Sequence, residues 1–327
     1  MKIALDVMGG DEGVSAIIEG GLQATQELDV EIAFVGQKDK IVRELARHSF
    51  STDRIEIVHA SQVVEMHEEP GAAVRAKRDA SVVVGTQLVK AGEVVGFVSA
   101  GNSGATLAAA QLFLGRLPGV RRSALGTVYP TLHGYCFVLD VGATADCKPE
   151  YLSQFGIMGS AYAQGVLNIA DPKIGLLSTG EEEGKGSLLV KEAHQLLKSG
   201  PTNFAGNVEG KDIPHRPVDV VVTDGFTGNT FLKTTEGVVT LLLKTLEREM
   251  KRRPHAMLGA ALAKQAFAAT RAYLDYTDYG GAALLGVNGI VIIAHGRSDS
   301  KAIKNAVRVA KQAAESDITG IIQEGVH

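Results

Sequence analysis

Five times along this 327-residue chain, a short apolar, β-branched run leads through a polar, glycine-containing turn into a segment of helical periodicity. Residues 3–7 lead through Gly9-Gly-Asp11 into 14–22, and 94–98 lead through Ser99-Ala-Gly-Asn-Ser-Gly104 into 105–114. Residues 173–177 lead through 178–186 into 187–197, 218–222 through Thr223-Asp-Gly-Phe-Thr-Gly-Asn229 into 231–250, and 289–294 through 295–299 into 301–314. Strands that alternate with helices demand right-handed crossovers. The expected fold is therefore α/β, a largely parallel sheet with helices on both faces. In such a sheet the turns after different strands converge on one crevice, where ligands bind. All five turns thus become candidates for one site.

No linker composition, long charge block or repeat of about 20 to 50 residues divides the chain. Residues 1–327 read as a single α/β domain. Residues 247–279 stand apart: KRRPH at 251–255 interrupts a long helix and an Ala/Leu-rich helix follows, which predicts a projecting helical hairpin.

A net charge of −4 argues against sequence-wide attraction to nucleic acid, so any anion site is local. Cys136 and Cys147 are the only cysteines, without zinc-ligand spacing, which fits a reducing cytosol and two buried thiols. The start of the chain is too short and polar in its apolar run for a signal peptide, and no run reaches the roughly 20 apolar residues of a spanning helix. A cytoplasmic location is expected, with contact at a membrane surface still open.

Backbone N–H groups at a helix N-terminus bind anions, and glycine lets the ligand approach. AGNSGA at 100–105 fits that logic, with Asn102, Ser103 and Gly104, and so does TDGFTGN, with Thr227, Gly228 and Asn229 at the helix start. GEEEGKGS at 180–187 adds a cation, Lys185, between Gly184 and Gly186. It is not a P-loop, because Thr179 and Gly186 break the GxxxxGK[ST] template. Nor is it a dinucleotide fingerprint, because Leu189 occupies the third glycine position. The turns together predict an anion site. No GxSxG elbow or HExxH helix is present. The acidic cluster Glu65-Met-His-Glu-Glu69 reads as a solvated turn rather than a metal site, and His215 reads equally as a structural group or a site residue.

These segments carry a family resemblance. IALDVMGGD at 3–11, EEPGAAVRAKRDAS at 68–81, SAGNSGA at 99–105, DVGATADCKPEYLSQF at 140–155, LLSTGEEEGKG at 176–186, NVEGKDI at 207–213, DVVVTDGFTGNTFLKTTEG at 219–237 and YGGAALLGVNG with HGRS at 279–298 occur in one order. The chain resembles, nearly end to end, the acyl-acyl carrier protein:phosphate acyltransferases of bacterial phospholipid synthesis, the PlsX family. Thr144 stands where that pattern would put asparagine, Ala283 where it would put proline, and Ser103 where it would put threonine.

The resemblance implies transfer of a fatty acyl group from the carrier thioester to inorganic phosphate, a fold similar to isocitrate and isopropylmalate dehydrogenases, and a homodimer. It also implies peripheral membrane association and supply of acyl phosphate to a membrane glycerol-3-phosphate acyltransferase. Phosphate is already a nucleophile and thiolate a good leaving group, so direct attack needs positioning and oxyanion stabilisation rather than a covalent intermediate. Lys185 is the first choice as phosphate clamp or proton source. Asn229 and Asn102 are placed at the carbonyl, with Ser103 and Thr227 in the phosphate cradle. Asp224 orients Lys185 or caps the helix. No cofactor is identified, phosphate is a substrate, and whether magnesium takes part stays open.

On the hairpin, Leu258 and Leu262 share an apolar face near Arg252, Arg253, Lys264 and Arg271. Such a tip suits an acidic acyl carrier protein or anionic lipid, and equally a buried dimer face. Rival functions are a coenzyme A-dependent phosphate acetyl- or butyryltransferase, a decarboxylating dehydrogenase and a non-catalytic membrane scaffold.

Overall fold

The computed structural model describes residues 1–274 and 279–326, with the side chains of Pro254, Leu258 and Arg271 outside that description. Among the described residues eleven strands form one sheet: β1 (Lys2–Asp6), β2 (Glu31–Gly36), β3 (Ile55–His59), β4 (Gly96–Ser99), β5 (Ala124–Thr131), β6 (Gly134–Leu139), β7 (Ile174–Ser178), β8 (Phe204–Glu209), β9 (Val220–Val222), β10 (Ala282–Leu285) and β11 (Ile290–Ile293). Their order is β3-β2-β1-β4-β11-β10-β5-β6-β9-β7-β8. Most neighbouring pairs are parallel, as the strand-helix alternation demands.

The centre departs from the sequence expectation. The β11–β10, β10–β5 and β5–β6 pairs are antiparallel, so β1 to β4 and β11 run opposite to β6 to β9. The turns after the two sets therefore leave in opposite directions, not along one shared edge. The register nevertheless brings them to one level. Ser99 pairs with Ile293 and Ile293 with Ala282; the next residue, Ala283, pairs with Gly126, Gly126 with Leu139, and Leu139 with Val222. The last residues of the two sets thus lie one step apart, and the crevice forms at mid-sheet where they meet.

The helices are α1 (Gly13–Glu27), α2 (Lys38–Leu45), α3 (Pro70–Ala76), α4 (Ser81–Lys90), α5 (Ser103–Ala109), α6 (Pro149–Gly165), α7 (Leu188–Ser199), α8 (Gly225–Lys251), α9 (Pro254–Leu262), α10 (Lys264–Leu274), α11 (Ser300–Glu315) and α12 (Ile318–Gly325). Alternate strand residues face opposite ways. Ile3, Leu5, Ile290 and Ile292 pack with Ile18 of α1, Phe155 of α6 and Ile303 of α11, while Ala4, Phe97, Val291 and Ile293 pack with Val83 of α4 and Ala105 of α5. A third cluster joins Tyr129, Cys136, Val138 and Val221 to Phe231 and Leu232 of α8. Helices thus cover both faces, and each face excludes water from its own apolar set.

Only Gly225 and Gly228 of α8 are buried. Pro254 starts α9 because its missing N–H costs nothing at a first helical turn. Tyr273 of α10 donates to the carbonyls of Thr131 and Gly134, which ties that helix to the β5–β6 turn.

Candidate functional site

The site is built on two buried aspartates at strand ends. Asp140, directly after β6, is fully buried. Its Oδ1 accepts from the backbone N–H groups of Leu125, Gly142 and Ala143, and its Oδ2 from that of Thr144, at 2.7 to 3.0 Å. Burial pushes this carboxyl above its usual range, against the four donors that favour its ionised form. Asp6, at the end of β1, repeats the arrangement: it accepts from Met8 N–H at 3.0 Å and from Ser99 Oγ at 2.9 Å. Both follow a leucine and precede a valine, Leu5-Asp-Val7 and Leu139-Asp-Val141.

The turn at 139–144 is laced to the turn at 223–228. Asp140 N–H donates to Thr223 O, Thr223 N–H to Leu139 O and Gly225 N–H to Thr144 O. Asp224 is the N-cap of α8: its Oδ1 accepts from Thr227 N–H at 2.8 Å and its Oδ2 from Thr227 Oγ1 at 2.7 Å. That cap satisfies donors the helix start would otherwise leave unpaired. The helix-cap alternative for Asp224 is thus seen in the geometry, and Thr227 is its partner.

From this anchored start α8 runs back over the sheet, and its second turn roofs a cavity of about 250 Å³. Asn229 and Lys233 of α8, Ser103 of α5, Leu125 and Thr127 of β5, Gly142 and His295 all line it. A Cβ on Gly142 would stand 3.9 Å from the Asn229 amide, which is ordinary contact. Lys233 Nζ pairs with Glu236 at 2.9 Å. His295 Nδ1 accepts from Arg297 N–H at 3.2 Å. Burial first, then the charges of Lys233 and Arg297, hold His295 below the usual histidine range.

The other sequence candidates fall elsewhere. Asn102 is committed at both ends: its Oδ1 caps α5 through Ala105 N–H at 3.0 Å, and its Nδ2 donates to the carbonyls of Glu65, Met66 and Glu68. The amide expected at a substrate carbonyl is holding a loop instead. A Cβ on Gly104 would lie 2.7 Å from Pro70 Cγ, and one on Gly228 1.9 Å from Asp140 O, so close packing accounts for both glycines.

Lys185 is exposed in the turn after β7. Gly186 and Ser187 beside it line a second cavity of about 480 Å³ with Ser178, Thr223, Asp224 and Thr227. Gly184 lies in open space. Lys185 itself lines neither this cavity nor that of Asn229, and the cation lining Asn229's cavity is Lys233.

His215 lies apart from the cavities of Asn229 and Gly186. Leu132 N–H donates to Pro214 O and Arg216 donates to His133 O, so its segment packs on the far turn of the β5–β6 hairpin. That turn lies about 17 Å of strand from Leu139. The chain must cross there to begin β9, which carries His215 away from the turns at 99–104 and 223–229.

In the acidic cluster at 65–69, Glu68 bonds Lys77 at 2.6 Å and Glu69 caps α3. Among the described residues no three His, Cys, Asp or Glu side chains gather as a metal-binding group. Arg252 and Arg253 both bond Glu249, while Leu262 is 85% exposed beside exposed Lys264. The side chains of Leu258 and Arg271 lie outside the described residues.

The architecture is that of the phosphotransacylases and their fold relatives. A phosphotransacetylase from Staphylococcus aureus superposes with a TM-score of 0.62 at 17% identity, covering 96% of this chain and 94% of that one. A 4-hydroxythreonine-4-phosphate dehydrogenase from Klebsiella pneumoniae superposes at 0.57 and 15% identity, covering 96% and 99%. At such identities the likeness concerns the fold alone. Sequence is more specific. The profile of the family described as "Fatty acid synthesis protein" matches residues 1–320. A phosphate acyltransferase from Dictyoglomus turgidum is 46% identical, covering 100% of this chain and 98% of that protein. One from Heliobacterium modesticaldum is 48% identical, with the same coverage. The chain belongs to this family of phosphate acyltransferases.

Proposed function

We propose that this protein moves a fatty acyl group from acyl-acyl carrier protein onto inorganic phosphate, giving acyl phosphate for phospholipid synthesis. End-to-end kinship with phosphate acyltransferases carries this reading. The cavity beneath α8 supplies a place for it. A phosphate oxygen attacks the thioester carbon, the carbon–sulfur bond breaks, and the departing thiolate takes up a proton.

The residues fit direct attack. Cys136 is fully buried and Cys147 partly so, and burial pushes both thiols up to about 12. Neither is a thiolate near neutral pH, so neither is a ready nucleophile. We assign Asn229 to the thioester carbonyl, and Ser103 and Lys233 to phosphate, because all three line one cavity. Preorganised donors of this kind act on charge that develops in the transition state. Asp140 and Asp224 hold the donors in place without touching substrate. If magnesium takes part, it arrives with phosphate.

The finer assignments rest on surface chemistry. Val238, Leu241 and Leu242 form an exposed stripe on α8, with Leu241 67% exposed. Helical spacing puts them on one side, and an exposed apolar patch marks an interaction surface. A second copy of the chain is the occupant we assign. Leu262 and Lys264 would meet the acidic carrier or an anionic membrane, from which acyl phosphate passes to a membrane glycerol-3-phosphate acyltransferase. Among the described residues no helix is long and apolar enough to cross a membrane.

The test mixes purified protein with palmitoyl-acyl carrier protein and phosphate, and traps acyl phosphate with hydroxylamine. Palmitoyl-coenzyme A and phosphate-free controls run beside it. Phosphate-dependent product from the carrier donor is expected. No product, or product only from coenzyme A, would refute the carrier-dependent reaction.

A further inference from the structure

The cavity of Asn229 does not stop at Glu236. Leu232, Glu236 and His295 also line a larger neighbouring cavity of about 460 Å³, so the two adjoin along α8. Their chemistry differs. The first holds Ser103, Asn229 and Lys233. Besides the shared residues, the second is lined on α8 by Thr235, Val239, Thr240 and Leu243, and elsewhere by Val128, Tyr129 and Pro130 of β5, by Leu274, and by the charged Arg297 and Asp299.

Helical phase makes this a single trough. Residues 232, 235, 236, 239 and 243 recur at three- and four-residue spacing and so share one side of α8, facing away from the exposed stripe at 238, 241 and 242. On β5, Leu125 and Thr127 line the first cavity and Val128, Tyr129 and Pro130 the second, so the strand runs on from one into the other. The apolar part from Leu232 to Leu243 covers about 16 Å of helix.

We propose that this trough is the acyl-chain channel, and that Val239 and Leu243 of α8 set the chain length the enzyme accepts. The proposal rests on the acyl transfer argued above. With the thioester carbon beside Asn229, the chain lies along Leu232, Val239 and Leu243 over Tyr129 and Pro130. An acetyl or butanoyl group would leave that length unfilled, whereas a long alkyl chain removes it from water. His295 and Glu236 line both cavities, and Arg297 and Asp299 add charge to the lining of the second, outside the apolar set that would hold the chain.

The test compares butanoyl, octanoyl and hexadecanoyl donors in the wild type and in Val239→Trp, which would fill the channel. A hydrophobic pocket discriminates by roughly tenfold or more for such differences. The hexadecanoyl-to-butanoyl turnover ratio is expected to fall at least that far. The chain has no tryptophan, so Leu243→Trp gives a single reporter for a second measurement. Hexadecanoyl phosphate should shift its emission to the blue, and acetyl phosphate should not. An unchanged ratio in folded Val239→Trp, or no response at position 243, would overturn the channel and leave acyl transfer standing. Failure of the wild type with every donor would overturn both.

Discussion

A Cβ built on Gly228 would lie 1.9 Å from the carbonyl oxygen of Asp140. The second turn of α8 therefore rests backbone to backbone on the end of β6, and this contact sets Asn229 beside Gly142. Gly228→Ala pits two effects against each other. Alanine normally favours a helix interior by about 0.5 to 1 kcal/mol over glycine, but overpacking costs about 1 to 3 kcal/mol when the opposing atom is fixed. The carbonyl cannot move without breaking the turn, so net destabilisation is expected. Denaturant unfolding checks it, and an equal or higher midpoint would mean that α8 is free to lift.

Asp140→Asn tests the anchor beneath that contact. An amide matches the carboxylate in shape but presents N–H₂ to one of the donors that Asp140 accepts. A buried N–H left without an acceptor costs about 1 to 3 kcal/mol. The expected result is a lower unfolding midpoint and weaker turnover, since the turns at 139–144 and 223–228 loosen together. Unchanged stability would show that the carboxylate's four bonds are replaceable.

What the sequence disclosed was local. The units ending in β1, β4, β7, β9 and β11 were legible because each turn carries glycine and each helix its own period. The central reversal was not. The β5–β6 turn at Leu132-His133 has neither glycine nor asparagine, and Pro130 interrupts the β5 pattern where a strand would otherwise be evident. Without the reversal, the turns seemed to share an edge, which grouped His215 and Lys185 with Asn229, although neither lines the cavity of Asn229. Lys233 and His295 were missed because their place depends on the phase of α8 and on β11, which only packing fixes. Asn102 was read as a ligand donor although asparagine before a helix is first of all a cap. The repeated Leu-Asp-Val at strand ends was the available signal for Asp6 and Asp140.

Substitution separates the two cavities. Asn229→Ala should lower kcat by about 100-fold, the usual loss for a removed oxyanion donor, with the unfolding midpoint held. Lys233→Ala should raise the phosphate KM by about tenfold or more, since it removes the cation in that cavity. Lys185→Ala is the comparison. If it raises the phosphate KM while Lys233→Ala does not, phosphate lies in the cavity lined by Gly186, Thr223 and Asp224.

His295 gives the pH prediction. Burial and its cationic neighbours hold its folded pKa below the ordinary 6.5. Between those two values the unfolded chain binds more proton than the folded one, so stability rises with pH across that window. The contribution is fully present above the unfolded value and is lost as pH falls through the folded one. Unfolding measured from about pH 7.5 down to about pH 5, a range that brackets ordinary histidine titration, should show the wild type losing more stability than His295→Gln. The difference between the two isolates this residue from the other eight histidines. Parallel losses would place His295 in a solvated setting, and would remove the reason to expect it neutral where the acyl chain meets phosphate.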